Sequence, residues 1–343
     1  MKRTTALFLA SVIALVFAFP AFSAISTPIA RVNLIRTTVI TQQQLDEKLA
    51  QYRQAYGDSS IDASTVLEAM ISDELLEQAL ERDGYVLTDD AKNELLAAQK
   101  SAIEQQVGVQ LSDADFASVI QANYGVSVEE FRDYIADQYT VQNYVLNKKS
   151  DMFKEENLMP TTAEVEDYYK RNKSTFISPE NVKLSHIYFE FGDDRNAAYK
   201  RASDVSNQIK SGRISFEKAV AQYSDDKNSI DKAGDIGWLA INDTENIQVM
   251  GQNFFDKVFA LDAGEVSGVI ESNAGYHIVK VSVHNETKIL GIDDKTSPTA
   301  DGTVRDYITN GLYESKMNAM FQQAYLSLIT DLKNTASIRY LSN

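Results

Sequence analysis

The chain has 343 residues, with 33 Lys and Arg against 49 Asp and Glu, for a formal net charge of −16. Such an acidic surface repels phosphate backbones and makes nucleic acid a poor partner. Cysteine is absent, which excludes disulfides, a thiol nucleophile and a lipid-modified cysteine, while the length suffices for two or three domains with real cores.

The first residues read as a signal peptide. Lys2-Arg3 form a basic n-region, residues 6–19 are an uncharged apolar run, and Ala21-Phe22-Ser23 offers small residues where a signal peptidase reads. Cleavage is expected after Ser23, with Ala24 as second choice, so residues 1–23 are set apart from the fold. The run is too short, and wrongly flanked, for a spanning helix. Losing Lys2 and Arg3 takes the charge from −16 to −18.

Residues 30–40 read as one short strand region, after which helices dominate. Thr41 with Gln44 resembles a capping box, and Leu45, Leu49 and Tyr52 follow at helical spacing. A second helix runs from about Asp62 through Val66, Ile71 and Leu75 to Gly84, a glycine suited to the position after a helix end. Further helices are predicted after Thr88 and after Ser112, the latter stopping near Gly125. Ser127 with Glu130 opens a long helix, and Thr161 with Glu164 a sixth that ends near Phe176.

Residues 177–180 read as a linker, and the pattern then changes. Residues 182–189 form a predicted strand, 196–210 an amphipathic helix closing at Gly212, and 216–223 a shorter helix. A polar loop follows, then a short helix over 254–259 and strands over 266–270 and 277–283. Residues 288–302 have loop composition. Residues 304–332 read as one long helix whose apolar stripe (Val304, Ile308, Leu312, Leu328) needs a partner. The helical N-terminal region is the obvious one, and a last strand near Ser337 would pair with residues 30–40.

Only three histidines occur, and two sit at matching points: Leu184-Ser185-His186-Ile187 and Gly275-Tyr276-His277-Ile278. A buried imidazole must satisfy two ring nitrogens, and a pair that bonds to each other meets part of that need. Between them lie Ser215-Phe216-Glu217, Tyr223-Ser224-Asp225-Asp226, Gly234-Asp235-Ile236-Gly237, Phe254, Phe259 and Gly264-Glu265-Val266-Ser267. Taken in order, this set resembles the parvulin-type peptidyl-prolyl isomerases across residues 182–283. The surrounding helices resemble the chaperone part of SurA-like and PrsA-like exported proteins.

The resemblance implies a role for each matching position. His186 and His277 are the histidine pair at the floor of the site, Ser272 a hydroxyl that supports them, and Asp226 the group beside the twisting amide. Ile236, Met250, Phe254 and Phe259 are expected to bind substrate, the first three as a pocket for the proline ring. Isomerising an X–Pro bond breaks no bond, so the reaction calls for an apolar cup and a polar group rather than a nucleophile. No metal or other cofactor is expected, since there is no cysteine and no tight His/Glu spacing. Taken singly, each residue has a plainer reading: core histidines, a solvated aspartate, helix packing for Met250 and Phe254.

Some features depart from the family. The stretch 238–249 is longer than usual, and Ala274 stands where active members often carry Ser or Phe, which thins one wall. The acidic Gly192-Asp193-Asp194 replaces the basic residues of phosphate-directed members. The expected fold is α+β: a mostly helical chaperone domain (24–176 and 286–343) with an inserted parvulin α/β domain (177–285) built on a four-stranded antiparallel sheet. The expected function is an exported, soluble, periplasmic foldase acting on unfolded or partly folded exported proteins, outer-membrane proteins among them. The alternative is a non-catalytic holdase whose parvulin domain only binds peptide.

Overall fold

The computed structural model describes residues 26–57 and 60–341, so the expected signal peptide lies outside the described residues. The chain divides into two compact units. One comprises the chain up to Met159 together with the stretch from Tyr313 onward, and the other is the continuous Pro160–Leu312.

The first unit opens with strands β1 (Pro28–Asn33) and β2 (Thr37–Thr41), a hairpin where one strand region was expected. The turn between them carries neither glycine nor proline. A side chain from farther along holds it instead: Gln78, fully buried, accepts the amides of Leu34, Ile35 and Arg36 on its Oε1 at 2.9, 3.0 and 3.3 Å. Its Nε2 donates to Glu74 at 2.7 Å. Helices α1 (Gln42–Tyr56), α2 (Ala63–Arg82), α3 (Asp89–Val107), α4 (Asp113–Tyr124), α5 (Val128–Lys148) and the single-turn α6 (Glu155–Leu158) follow. The hydroxyls of Thr41, Thr88, Ser112 and Ser127 cap α1, α3, α4 and α5, as their spacing predicts.

In the second unit α7 (Thr162–Asn172), capped by Thr161, leads to β3 (Ile177–Ser178), which pairs with β8 (Lys288–Ile289). The expected linker is therefore part of a two-stranded ladder. The central sheet consists of β4 (Asn181–Glu190), β5 (Asp235–Ala240), β6 (Val266–Glu271) and β7 (Gly275–Asn285), antiparallel throughout in the order β5-β4-β7-β6. Helices α8 (Arg195–Lys210) and α9 (Phe216–Tyr223) cover one face through Ala202, Val205, Phe216 and Val220, against Ile187, Phe189 and Ile278. The other face carries Val182, Leu184, Val279 and Val281, packed by Phe254, Phe255 and Val258 of α11 (Gln252–Val258). Successive residues of a strand point to opposite faces, which is why Leu184 and Ile187 part company.

The stretch 238–249, expected to be a long loop, is ordered: it finishes β5 and enters α10 (Thr244–Met250), capped by Asp243. A smaller core joins Val165, Tyr169 and Phe176 to Leu290, Val304 and Ile308. That core makes the compact unit wider than residues 177–285. Helix α12 (Val304–Thr335) starts there, and its later turns place Ala324, Leu328 and Leu332 in the core of the first unit. Strand β9 (Ser337–Tyr340) then pairs antiparallel with β1, as anticipated.

Replacing Gln78 by leucine strips three amides of their acceptor. We expect a loss of about 1–3 kcal/mol, because partly buried donors left unpaired keep part of their desolvation cost. The measurement is the urea midpoint of the helical circular dichroism signal; an unchanged midpoint would show that water serves the turn equally well.

Candidate active site

The strand alternation that builds the core also delivers the site. Counting by twos from Val182 and Leu184, the same face of β4 presents His186 and then Tyr188, while Val279 and His277 continue the face on β7. His186 and His277 are almost fully buried, at 7% and 2% exposure. Their Nδ1 atoms lie 3.2 Å apart. His186 Nε2 meets Asp226 Oδ2 at 2.9 Å, and His277 Nε2 meets Ser272 Oγ at 2.8 Å. Four side chains thus form one line of hydrogen bonds: Ser272, His277, His186, Asp226.

Electrostatics set the direction of that line. Burial pushes Asp226 upward, but bonds from Ser229, His186 and the Asn228 amide outweigh it and hold the carboxyl below its ordinary range. It is therefore ionised near neutral pH and acts only as an acceptor. Burial lowers the pKa of His186 against the opposing pull of Asp226. Burial, with His186 alongside, lowers His277 to about 3. Both rings are neutral, each with a single N–H. His186 must spend its proton on Asp226, so its Nδ1 accepts from His277 Nδ1–H, and His277 Nε2 accepts the Ser272 hydroxyl.

Local structure explains how each member arrives. The Asp226 loop is tied to β4, since the amide of Asp225 donates to the Tyr188 carbonyl at 2.8 Å and the Tyr188 amide to Ser224 Oγ at 3.1 Å. Gly234 has φ +82°, and a Cβ there would lie 2.5 Å from the His186 carbonyl oxygen. Only glycine allows this approach, which lets the His186 amide donate to the Gly234 carbonyl at 2.8 Å. Ser272 sits in the turn between β6 and β7, where its Oγ also accepts the Ala274 and Gly275 amides, each at 3.1 Å.

Of the residues expected to bind substrate, Phe254 is fully buried and sets its edge against His277, with ring centroids 5.0 Å apart. Ile236 and Met250 are half-buried against the same cluster, Ile236 at a register shift between β4 and β5. Phe259 lies elsewhere on this face: it stacks on Phe255 and abuts His284, not His277. Sequence reasoning missed Tyr188, whose ring lies 6.0 Å from that of His186 and 5.0 Å from that of His277. Its place two residues after His186, on the same face, was the available signal. The third histidine, His284, bonds Glu180 and the Leu261 carbonyl at the other end of the sheet, and the Glu180 bond raises its pKa. Among the described residues, no group of three or more His, Asp or Glu side chains is placed to hold a metal ion.

A family profile for the PPIC-type PPIase domain (rotamase) matches residues 186–283. A foldase protein PrsA of Clostridium kluyveri is 25% identical over 296 residues, which is 85% of this chain and 78% of the relative. Among solved structures, a SurA-like chaperone of Campylobacter jejuni is 18% identical over 91% of this chain and 100% of its own, with a TM-score of 0.35. PrsA from Bacillus subtilis is 22% identical over 87% and 94%, with a TM-score of 0.26.

The histidine pair makes stability depend on pH in a definite direction. In the unfolded chain His277 binds a proton below about pH 6.5, whereas in the fold it resists until about pH 3. The unfolded state gains protons first, so stability falls as pH drops from about 6.5 toward 3, with the Asp226 contribution lost below that carboxyl's ordinary range. Trp238 on β5 is the only tryptophan, and its fluorescence reports unfolding of this unit. His277→Gln should flatten the dependence between pH 6.5 and 4; a slope equal to wild type would contradict the assignment of His277 as buried and neutral.

Proposed function

We propose a division of roles within this chain, an exported foldase of the PrsA-like and SurA-like kind with one parvulin-type peptidyl-prolyl isomerase domain, whose partners are unfolded client proteins. In this reading the face of the β4–β7 sheet under α10 and α11 holds the X–Pro bond. Ile236, Met250 and Phe254 form a cup for the proline ring, Phe259 backs the cup through Phe255, and the line Ser272–His277–His186–Asp226 forms the floor. The observation that carries this is the meeting of that line with the buried edge of Phe254 inside the matched segment.

The chemistry follows from amide resonance. Rotation costs about 20 kcal/mol because the planar amide places partial negative charge on its oxygen, and that stabilisation vanishes at the twisted geometry. A dry cup withholds the water that favours the planar form. An ionised Asp226 near the carbonyl penalises charge on that oxygen and so favours the twisted state. The neutral histidines fix the carboxylate's position and exchange no proton with substrate.

For the rest of the chain, the helical first unit is read as the part that holds clients, with 177–285 as the isomerase proper and its flanks in 160–176 and 286–312 as supports. We place the protein in a periplasm and outer-membrane proteins among its clients. No described helix is long and apolar enough to cross a membrane.

An isomerisation assay on short X–Pro peptides tests the reading. Wild type should accelerate the reaction, and Asp226→Ala should lose about tenfold or more with its circular dichroism unchanged. Equal, near-background rates for both would remove the enzyme, and suppressed aggregation of an unfolded client by the same protein would then identify a holdase.

A further inference from the structure

We propose that Tyr188 is a positioning residue for the proline cup, holding the β6–β7 turn with its hydroxyl and the histidine pair with its ring. The proposal rests on the isomerase reading above. Tyr188 lies directly opposite His277 in the β4–β7 ladder. Its ring is nearly parallel to that of His186, with planes 13° apart, and tilted 33° to that of His277. Its hydroxyl donates to the Ala274 carbonyl at 2.9 Å. Its backbone carries two of the bonds that tie down the Asp226 loop, beside one from the Glu190 amide to Asp225 Oδ2 at 3.0 Å. One residue therefore touches every segment that supplies the hydrogen-bonded line: both strands, the turn and the loop.

The turn shows why the hydroxyl matters. Ala274 has no side chain able to brace it, and Ser272 holds it from within by accepting two of its amides. The Ala274 carbonyl is left for Tyr188. Because Ser272 Oγ is also the end of the line, any drift of the turn passes to His277 Nε2. Gly275 fits the same arrangement, since a Cβ there would fall 2.5 Å from the Tyr188 ring and 2.4 Å from the Phe189 carbonyl. An aliphatic side chain at position 188 would fill the same face of the strand but would not reach the carbonyl.

The test compares Tyr188→Phe and Tyr188→Leu with wild type, measuring kcat and KM separately on one X–Pro peptide and following the histidine imidazole nitrogens by NMR. Tyr188→Phe keeps the ring and frees the carbonyl. It should raise KM about 3–10-fold, the scale of one lost hydrogen bond, with kcat within about twofold and the His277 signals shifted. Tyr188→Leu should lower kcat as well, by about tenfold. Wild-type kinetic constants and imidazole shifts in Tyr188→Phe would overturn the proposal. Should wild type lack isomerase activity, the isomerase reading fails by itself. The Kd of the same peptide, read by fluorescence, then replaces KM: a several-fold weakening in Tyr188→Phe supports the role and an unchanged Kd overturns it.

Discussion

Two buried imidazoles that face each other through like nitrogens can share only one proton, and the second unit is organised around that constraint. With Asp226 ionised at one end, all the protons in the line must point toward it, and neither ring can take another without breaking the order. The arrangement therefore behaves as a fixed strut, not as a proton store. Its geometry depends on two adjacent central strands, a glycine pressed against the His186 backbone and a serine that closes the β6–β7 turn. Moving any of these shifts the others, because each atom in the line is spoken for.

The contrast with His284 shows how far environment decides the behaviour of one residue type. His284 lies on the same strand as His277, yet its carboxylate partner favours the charged ring, whereas burial keeps the other two rings neutral. A charged imidazole beneath an apolar cup would draw in water. In the proposed reading, the neutral pair would leave the proline cup dry while still supplying directed hydrogen bonds.

Much of this architecture was legible in the sequence wherever chemistry is local. Thr41, Thr88, Ser112, Ser127 and Thr161 each cap the helix they announce, because a hydroxyl bonding three residues ahead needs nothing from the rest of the fold. The histidines and Asp226 were legible from order and spacing within a family pattern. What stayed hidden depends on distant partners. The hairpin turn at residues 34–36 carries no turn residue of its own, since Gln78, more than forty positions later, supplies its acceptor. The ladder of Ile177–Ser178 exists only because Lys288–Ile289 returns beside it. Helix α10 hides inside a polar run whose start is marked only by Asp243. Tyr188 reads as an ordinary strand aromatic until the face it shares with His186 is counted out.

One pairing described above also joins segments that lie far apart in the chain. Strand β1, near the start of the chain, is completed by β9, near its end, with the whole of the other unit intervening. Pro160–Leu312 is continuous, so every strand of its central sheet lies within one uninterrupted stretch of chain. The sheet of the first unit instead closes only where β1 meets β9 from beyond that stretch, so cutting the chain anywhere between them leaves one edge of β1 without its partner.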